Sequence, residues 1–408
     1  MKKVINYLRP ALYSIRQNKL YALFCIAGTA LTFIFVALAL QLVRICTDNY
    51  PPMVHADRTI RLPEYFTDSK GYGMKIQPRE MDAVLDNIKD YQYASLWHSE
   101  MINVLLREHL YNSMVGFVNA DFWQINRFEF IAGRPFTKDD CTNRKKSVVV
   151  TEGIAQAYFN NKQCIGEKMS FQGNEYEVTG VVKRFSLLSS PSESCGIWAP
   201  YVFNKFLPSS YEFYTVDILA PPEMPLNEMQ EKITGAILQH FRQRNLTMNL
   251  LPEQLHTLQE DKAVRWGGEL FRYGSGAIVF LLLLIPALNI VSLNMANTRN
   301  RAGEIALRKA FGASLLSSFM QIMTETLILV AAGAVTGVAL ATPVLDLIQQ
   351  NIIDSTLGNI SLVAGIDYAV VFAGVTPAML LFSLLSGGLP AYIISRRNIS
   401  TVLKGGDK

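Results

Sequence analysis

Four cations, Arg299, Arg301, Arg308 and Lys309, and one acid, Glu304, fall within a dozen residues of the stretch Asn297–Ser314, NTRNRAGEIALRKAFGAS. Charges gathered this way suit recognition, charge against charge on a partner's surface. From Arg301 to Phe311 only Gly303 opposes a helix. Glu304 stands four residues before Arg308 in the favourable orientation, and Gly312 is a C-terminal stop signal. Arg301, Glu304 and Arg308 then share one face. Two readings stand, a docking helix for a partner or a solvated basic loop.

A second acid draws notice for where it lies. Glu325 is the only ionisable residue within a long apolar run, and an acid inside a membrane segment is either functional or an interfacial structural residue. The five histidines, at 55, 98, 109, 240 and 256, form neither HExxH nor a nucleophile triad. No catalytic residue and no metal site is expected. The five cysteines show no CxxC spacing; Cys46, Cys141, Cys164 and Cys195 lie in one hydrophilic region, where free thiols and a single disulfide are both open. Arg134, in Gly133-Arg134-Pro135-Phe136, reads as a turn residue with a satisfied guanidinium or as a substrate contact. No GxxxxGK[ST] phosphate loop occurs, so the chain is expected to bind no nucleotide cofactor itself.

The elements that must position these residues are set by hydropathy. Of 408 residues, 50% are hydrophobic and 18% charged, with a net charge of +4. That composition suits a mixed membrane and soluble architecture and gives no support for nucleic-acid binding. Residues 1–19 read as an amphipathic helix on the inner membrane face, interrupted at Pro10, or as a plain basic flank. Residues 20–43 are long enough to span a bilayer, and their length argues against a cleaved signal peptide. Further spans are expected at 273–298, 315–345 and 368–395, the second carrying Pro286, the third Gly333-x-x-x-Gly337, and the fourth a bend at Gly387-Gly388-Leu389-Pro390.

Five cations precede the first span, four lie in 299–314 and four in 396–408, while the loop 346–367 has none. The positive-inside rule then puts both termini and the basic stretch in the cytoplasm, and 44–272 and 346–367 outside. The expected class is a membrane protein of four transmembrane α-helices with a large α/β extracytoplasmic domain between helices 1 and 2.

Within that domain a helix opens at Pro78 with Met81, Val84, Leu85 and Ile88 on one face. Ser147–Val150 is a strand, Thr151 caps a helix running to Phe159, and Met169–Val182 is a hairpin turning at Gln172-Gly173-Asn174. A later helix uses Leu226, Met229, Ile233, Ile237 and Phe241. Residues 252–272 are expected to continue as a helix into the second span, forming a stalk.

Four stretches in order resemble the ABC-transporter permeases of the macrolide-exporter (MacB), lipoprotein-release (LolC/LolE) and FtsX type. They are YLRPALYSIRQNKLYALF; the middle block from GRPF through SVVVTEGIAQAYF to IGEKMSFQGNEYEVTGVV, a possible inserted subdomain at about 116–194; EIALRKAFGAS with FMQIMTETLILVAAGAVTGVAL; and GGLPAYIISRRNISTVLKGG. The exit departs from the family pattern, with Tyr392, Ile393 and Ile394 in place of alanines. The resemblance implies that 299–314 is a coupling helix docking in a groove of a separate cytoplasmic ATPase, which would bind the ATP and magnesium. On that reading Arg299, Arg301, Glu304, Ile305, Arg308, Lys309 and Gly312 form the coupling site, and Glu325 matches a glutamate usual in the family.

It further implies a bacterial inner-membrane protein that works by mechanotransmission as a homodimer or with a homologous mate, exporting or extracting a substrate or activating a periplasmic partner or adaptor. The rival readings are a membrane-tethered sensor or regulator and a membrane-bound hydrolase.

Overall fold

Apolar side chains fill the segment after Lys19, and in lipid a helix satisfies its backbone within the segment itself. Helix α2 accordingly runs over Lys19–Thr47, after an amphipathic α1 at Lys2–Gln17 that continues through Pro10. The computed structural model describes residues 2–67, 71, 73–106, 109–189, 195–204, 214–265, 314–352, 365–388 and 392, with single positions 274, 276, 277, 280, 281, 284 and 291. These residues fall into two units, one of 1–43, 272–348 and 365–408 and another of 44–271 with 349–364. Among the described residues two helical segments are long and apolar enough to cross a membrane, 19–47 and 319–348.

The ectodomain unit is built on a ten-stranded sheet. Its strands, in chain order, are β1 (Thr59–Arg61), β4 (Tyr93–Leu106), β5 (His109–Val118), β6 (Phe130–Gly133), β7 (Ser147–Thr151), β8 (Lys168–Phe171), β9 (Asn174–Val182), β10 (Ile197–Pro200), β11 (Thr215–Leu219) and β12 (His256–Thr257). The short pair β2 (Phe66–Thr67) and β3 (Gly73–Met74) lies apart from it. The order is β12-β1-β11-β4-β5-β10-β7-β9-β6, and β8 bridges β9 and β4, so that part of the sheet curls round on itself.

Two lobes with separate cores result. In one, α3 (Pro78–Ile88) and α7 (Leu226–Gln243) pack on β1, β11 and β4. Met81, Val84, Leu85 and Ile88 meet Met229, Ile233, Ile237 and Phe241 there, as their helical spacing predicts. In the other, the curled strands enclose Val104, Phe117, Phe171, Tyr176 and Val178 with α6 (Glu152–Phe159) beside them. Next to that core Trp123, Phe128, Phe136 and Trp198 interlock edge to face, around α4 (Phe122–Ile125) and α5 (Lys138–Thr142).

The local signals behave as the sequence predicts. Thr151 Oγ accepts from the Ile154 amide at 3.2 Å to cap α6. The β8–β9 hairpin closes through Gln172 (φ 48°) and Gly173 (φ 74°), two successive left-handed residues, the turn whose twist matches paired strands. One expectation changes. Residues 252–257 do not form a helix: Pro252–Gln254 is a 3-10 turn and β12 pairs with β1. Helix α8 starts only at Leu258 and is described to Arg265. Proline and the Thr257–Glu260 capping box explain the delay, since Glu260 accepts from the Thr257 amide at 2.7 Å and thereby fixes the helix start.

In the membrane unit α9 spans Leu315–Ile352, seven residues beyond the expected end of the third span at 345. Helix α10 covers Tyr368–Ser383 and gives way to a wider π turn at Leu384–Gly388, where the Gly387-Gly388 bend is expected. Gly333 and Gly337 face α2. A Cβ on Gly333 would strike Thr29, and one on Gly337 would lie 2.5 Å from the carbonyl oxygen of Ala30. The small-residue face of this helix is therefore used inside the chain, because only glycine lets the two backbones approach so closely.

Candidate functional site

Ser314 sets the boundary from which the site is built. Its hydroxyl accepts from the Ser317 amide at 3.2 Å and caps α9, so the third helix begins directly after the basic stretch. Arg299, Arg301, Glu304, Ile305, Arg308, Lys309 and Gly312 lie outside the described residues, as do Pro286 and the exit residues Ile393 and Ile394.

Glu325 is described, and it is buried, only 6% exposed. The Ser14 hydroxyl of α1 donates to its Oε1 at 2.7 Å, a bond between positions 311 residues apart in the chain. Ser14 and Ala11 form the buried side of α1, whereas Leu12 is 47% exposed. The amphipathic helix thus presents small residues to the bundle and keeps a leucine outward. Beside Glu325, Thr326 bonds back to the Ile322 carbonyl at 3.1 Å and its methyl and hydroxyl would meet any Cβ on Gly387. One turn of α9 therefore grips α1 through Glu325 and the π turn after α10 through Thr326. About two turns further along, Gly333 seats against α2, and Gly337 does so about one turn beyond it.

At the far end of α2 a second polar cluster appears that sequence reasoning missed. The last carbonyls of a helix have no partner within it. Here Gln259 Nε2 donates to the Thr47 carbonyl at 2.6 Å, and Lys262 Nζ reaches the Asp48 carbonyl at 3.4 Å. The Gln259 amide bonds Ala56 at 3.0 Å, closing the cluster around Met53, Ala56 and Leu258. A cation at a helix C-terminus also opposes the helix dipole favourably. Burial pulls Lys262 down to about 8 against the opposing pull of Cys46 and Asp48. The signal in the sequence is spacing alone: Lys262 follows the buried Leu258 by one helical turn.

The remaining candidates are structural. Arg134 Nη1 pairs with Asp140 Oδ2 at 2.8 Å and with the Pro135 carbonyl at 3.0 Å, which holds the Asp140 carboxyl down at about 2. All five cysteines are buried, and none is in a disulfide. Among the described residues no three His, Cys, Asp or Glu side chains stand close enough to share a metal ion. A buried pair, Arg61 on Asp217 at 2.7 and 2.9 Å with the Trp97 indole donating to the same carboxylate at 2.9 Å, fastens β1, β11 and β4.

Comparison with known proteins gives two matches that together cover most of the chain. Residues 22–236 match the MacB-like periplasmic core domain and residues 276–399 the FtsX-like permease C-terminal domain. Among curated relatives, the macrolide export ATP-binding/permease protein MacB of Aggregatibacter actinomycetemcomitans is 22% identical over 55% of this chain, which spans about a third (34%) of that protein's length. The ABC transporter permease YknZ of Bacillus subtilis is 20% identical over 72% of this chain and 70% of its own. Among solved structures, the periplasmic region of MacB from Actinobacillus actinomycetemcomitans aligns over 49% of this chain and 91% of its own, with 14% identity and a TM-score of 0.38.

Proposed function

Because the chain belongs to the family of ABC-transporter permeases that join a MacB-like periplasmic core domain to an FtsX-like permease domain, we propose that it converts ATP hydrolysis on a separate cytoplasmic ATPase into motion of its ectodomain. In this reading four helices cross the inner membrane, both termini and 299–314 are cytoplasmic, and the chain itself binds no nucleotide. The working unit holds two permease chains and two ATPase subunits. The substrate, or the periplasmic partner acted on, is moved outside the membrane.

The observation that carries this is a run of packed elements starting where the basic stretch ends. Helix α9, capped at Ser314, grips α1 at Glu325 and α2 at Gly333 and Gly337. Helix α2 then runs unbroken to Thr47, where Gln259 takes hold of it. Displacing the start of α9 must therefore displace α2, since close-packed helices move as pieces and do not deform continuously.

The test is co-purification with the ATPase from mild detergent, joined to an ATPase assay. Replacing Glu304 and Arg308 together by alanine should leave expression and insertion unchanged and abolish association, because a charge seated in a partner's groove is worth about 2–5 kcal/mol. Ser14→Ala should keep association but lower the permease-dependent rate of hydrolysis severalfold. Undiminished association of the double variant would refute the coupling site.

A further inference from the structure

The two lobes of the ectodomain do not close fully on each other. Between α3 on one side and α5 with the turn Tyr201–Phe203 on the other lies a cavity of about 640 Å³, its floor made by Ala94 and Leu96 of β4 and by Asn119–Asp121. That volume is within the range of small-ligand sites, about 300–1,000 Å³, and lobe boundaries are where such sites concentrate.

Its lining is unlike either neighbouring core. Leu85, Leu96 and Val202 supply apolar surface, Tyr91 and Tyr201 present half-buried rings, and Asp82 and Asp121 carry negative charge, against a single cation, the solvent-exposed Lys138. The field is negative at both rings. Besides burial, Asp121, Asp86 and Asp82 push the Tyr91 hydroxyl upward, and Asp82 pushes up that of Tyr201. Carboxylates beside aromatic faces attract a cation twice over, by charge and through the ring quadrupole. Apolar walls favour a ligand with an apolar body.

We propose that the cleft between α3 and α5 is a binding site for an amphiphilic organic cation, a molecule carrying a protonated amine on an apolar body. Occupying it would bridge two lobes that otherwise have separate cores. The site is independent of the coupling reading: binding needs neither ATP nor the ATPase, so failure of one leaves the other standing.

The probe is dansylcadaverine, a fluorescent amine, titrated into the full-length chain in nanodiscs of uncharged lipid, with empty discs as reference. Its N-acetylated form, equal in body but uncharged, is the comparison. Saturable enhancement is expected with the amine, and at least tenfold weaker binding with the acetylated form. Asp82→Asn, on an exposed helix position that bears no part of either core, should weaken the amine fivefold or more. Tyr201→Leu should do the same while keeping the wall apolar. Equal affinity for the two probes would overturn the cation assignment. Amine binding untouched by both substitutions would overturn the location, and enhancement no greater than in empty discs would overturn the site altogether.

Discussion

Trp198 and Gly337 each sit at a packed contact within their own unit, and they make it by opposite means. Trp198 fills its space: fully buried, it meets Trp123, Phe128 and Phe185 with ring centroids 5.2–5.9 Å apart. Gly337 vacates its space, so that the carbonyl of Ala30 can lie where a side chain would be. The difference follows from the solvent. Water rewards the ectodomain for hiding large apolar surfaces, whereas lipid tails are as apolar as leucine and reward only fit and hydrogen bonds. Hence the ectodomain invests in aromatic mass, and the membrane unit in glycines and in hydrogen bonds between helices such as Ser14–Glu325 and Thr342–Tyr368.

The comparison breaks most visibly at Trp198. Trp198→Ala should cost the ectodomain about 3–5 kcal/mol, seen by circular dichroism as an earlier loss of strand signal on heating, with the helical signal of the membrane unit unmoved. A common shift of both signals would show that the units are not separately stabilised. Next in size is the reverse change, Gly337→Leu, where added bulk should cost about 1–3 kcal/mol. In mild detergent it should lower the helical transition and spare the ectodomain; an unchanged helical transition would mean that α2 and α9 are not in contact there.

The smallest effect sharpens the comparison at its border. Lys262 is a buried cation in the watery unit, at about 8 in the folded chain against an ordinary 10.5. Above pH 8 the unfolded chain holds a proton that the folded chain has released, so raising the pH favours folding, by about 1.4 kcal/mol per pH unit up to the ordinary value. The window therefore opens at pH 8 and closes at 10.5. Lys262→Met should be the more stable protein at pH 7, and wild type should close part of that gap by pH 9. A gap constant across the window would mean that Lys262 is not buried in the polar cluster at the end of α2.

What was legible in the sequence was periodic. Met229, Ile233, Ile237 and Phe241 repeat at helical spacing and are all fully buried, and Thr151 and the Gln172-Gly173 turn act through neighbours two or three residues away. The Glu325 carboxyl was legible as an anomaly, since charge in an apolar run stands out, but its partner was not: nothing local distinguishes Ser14 from any serine on an amphipathic helix. Lys262 was hidden for a related reason. Among Glu260 and Asp261 it reads as one charge of a solvated face, and only the distant end of α2 makes it a cap. Gly333 and Gly337 announced close packing without naming the surface they pack on. Contacts across hundreds of residues depend on topology, which no window of sequence contains.

The margins of the large sheet bear on how two copies of the ectodomain can meet. Its inner strands are long, 14 residues in β4 and 10 in β5, yet it ends on one side in β12, with 2 residues, and on the other in β6, with 4 residues and a register slip between Phe130 and Ala132. Unpaired strand edges are what let sheets zip together irreversibly through their backbones, and short or bulged edges deny that route. Under the proposed dimeric working unit, the described edges of this sheet leave two ectodomains little main chain to join by. Their association would then run through side chains, contacts of a kind that can be made and released repeatedly.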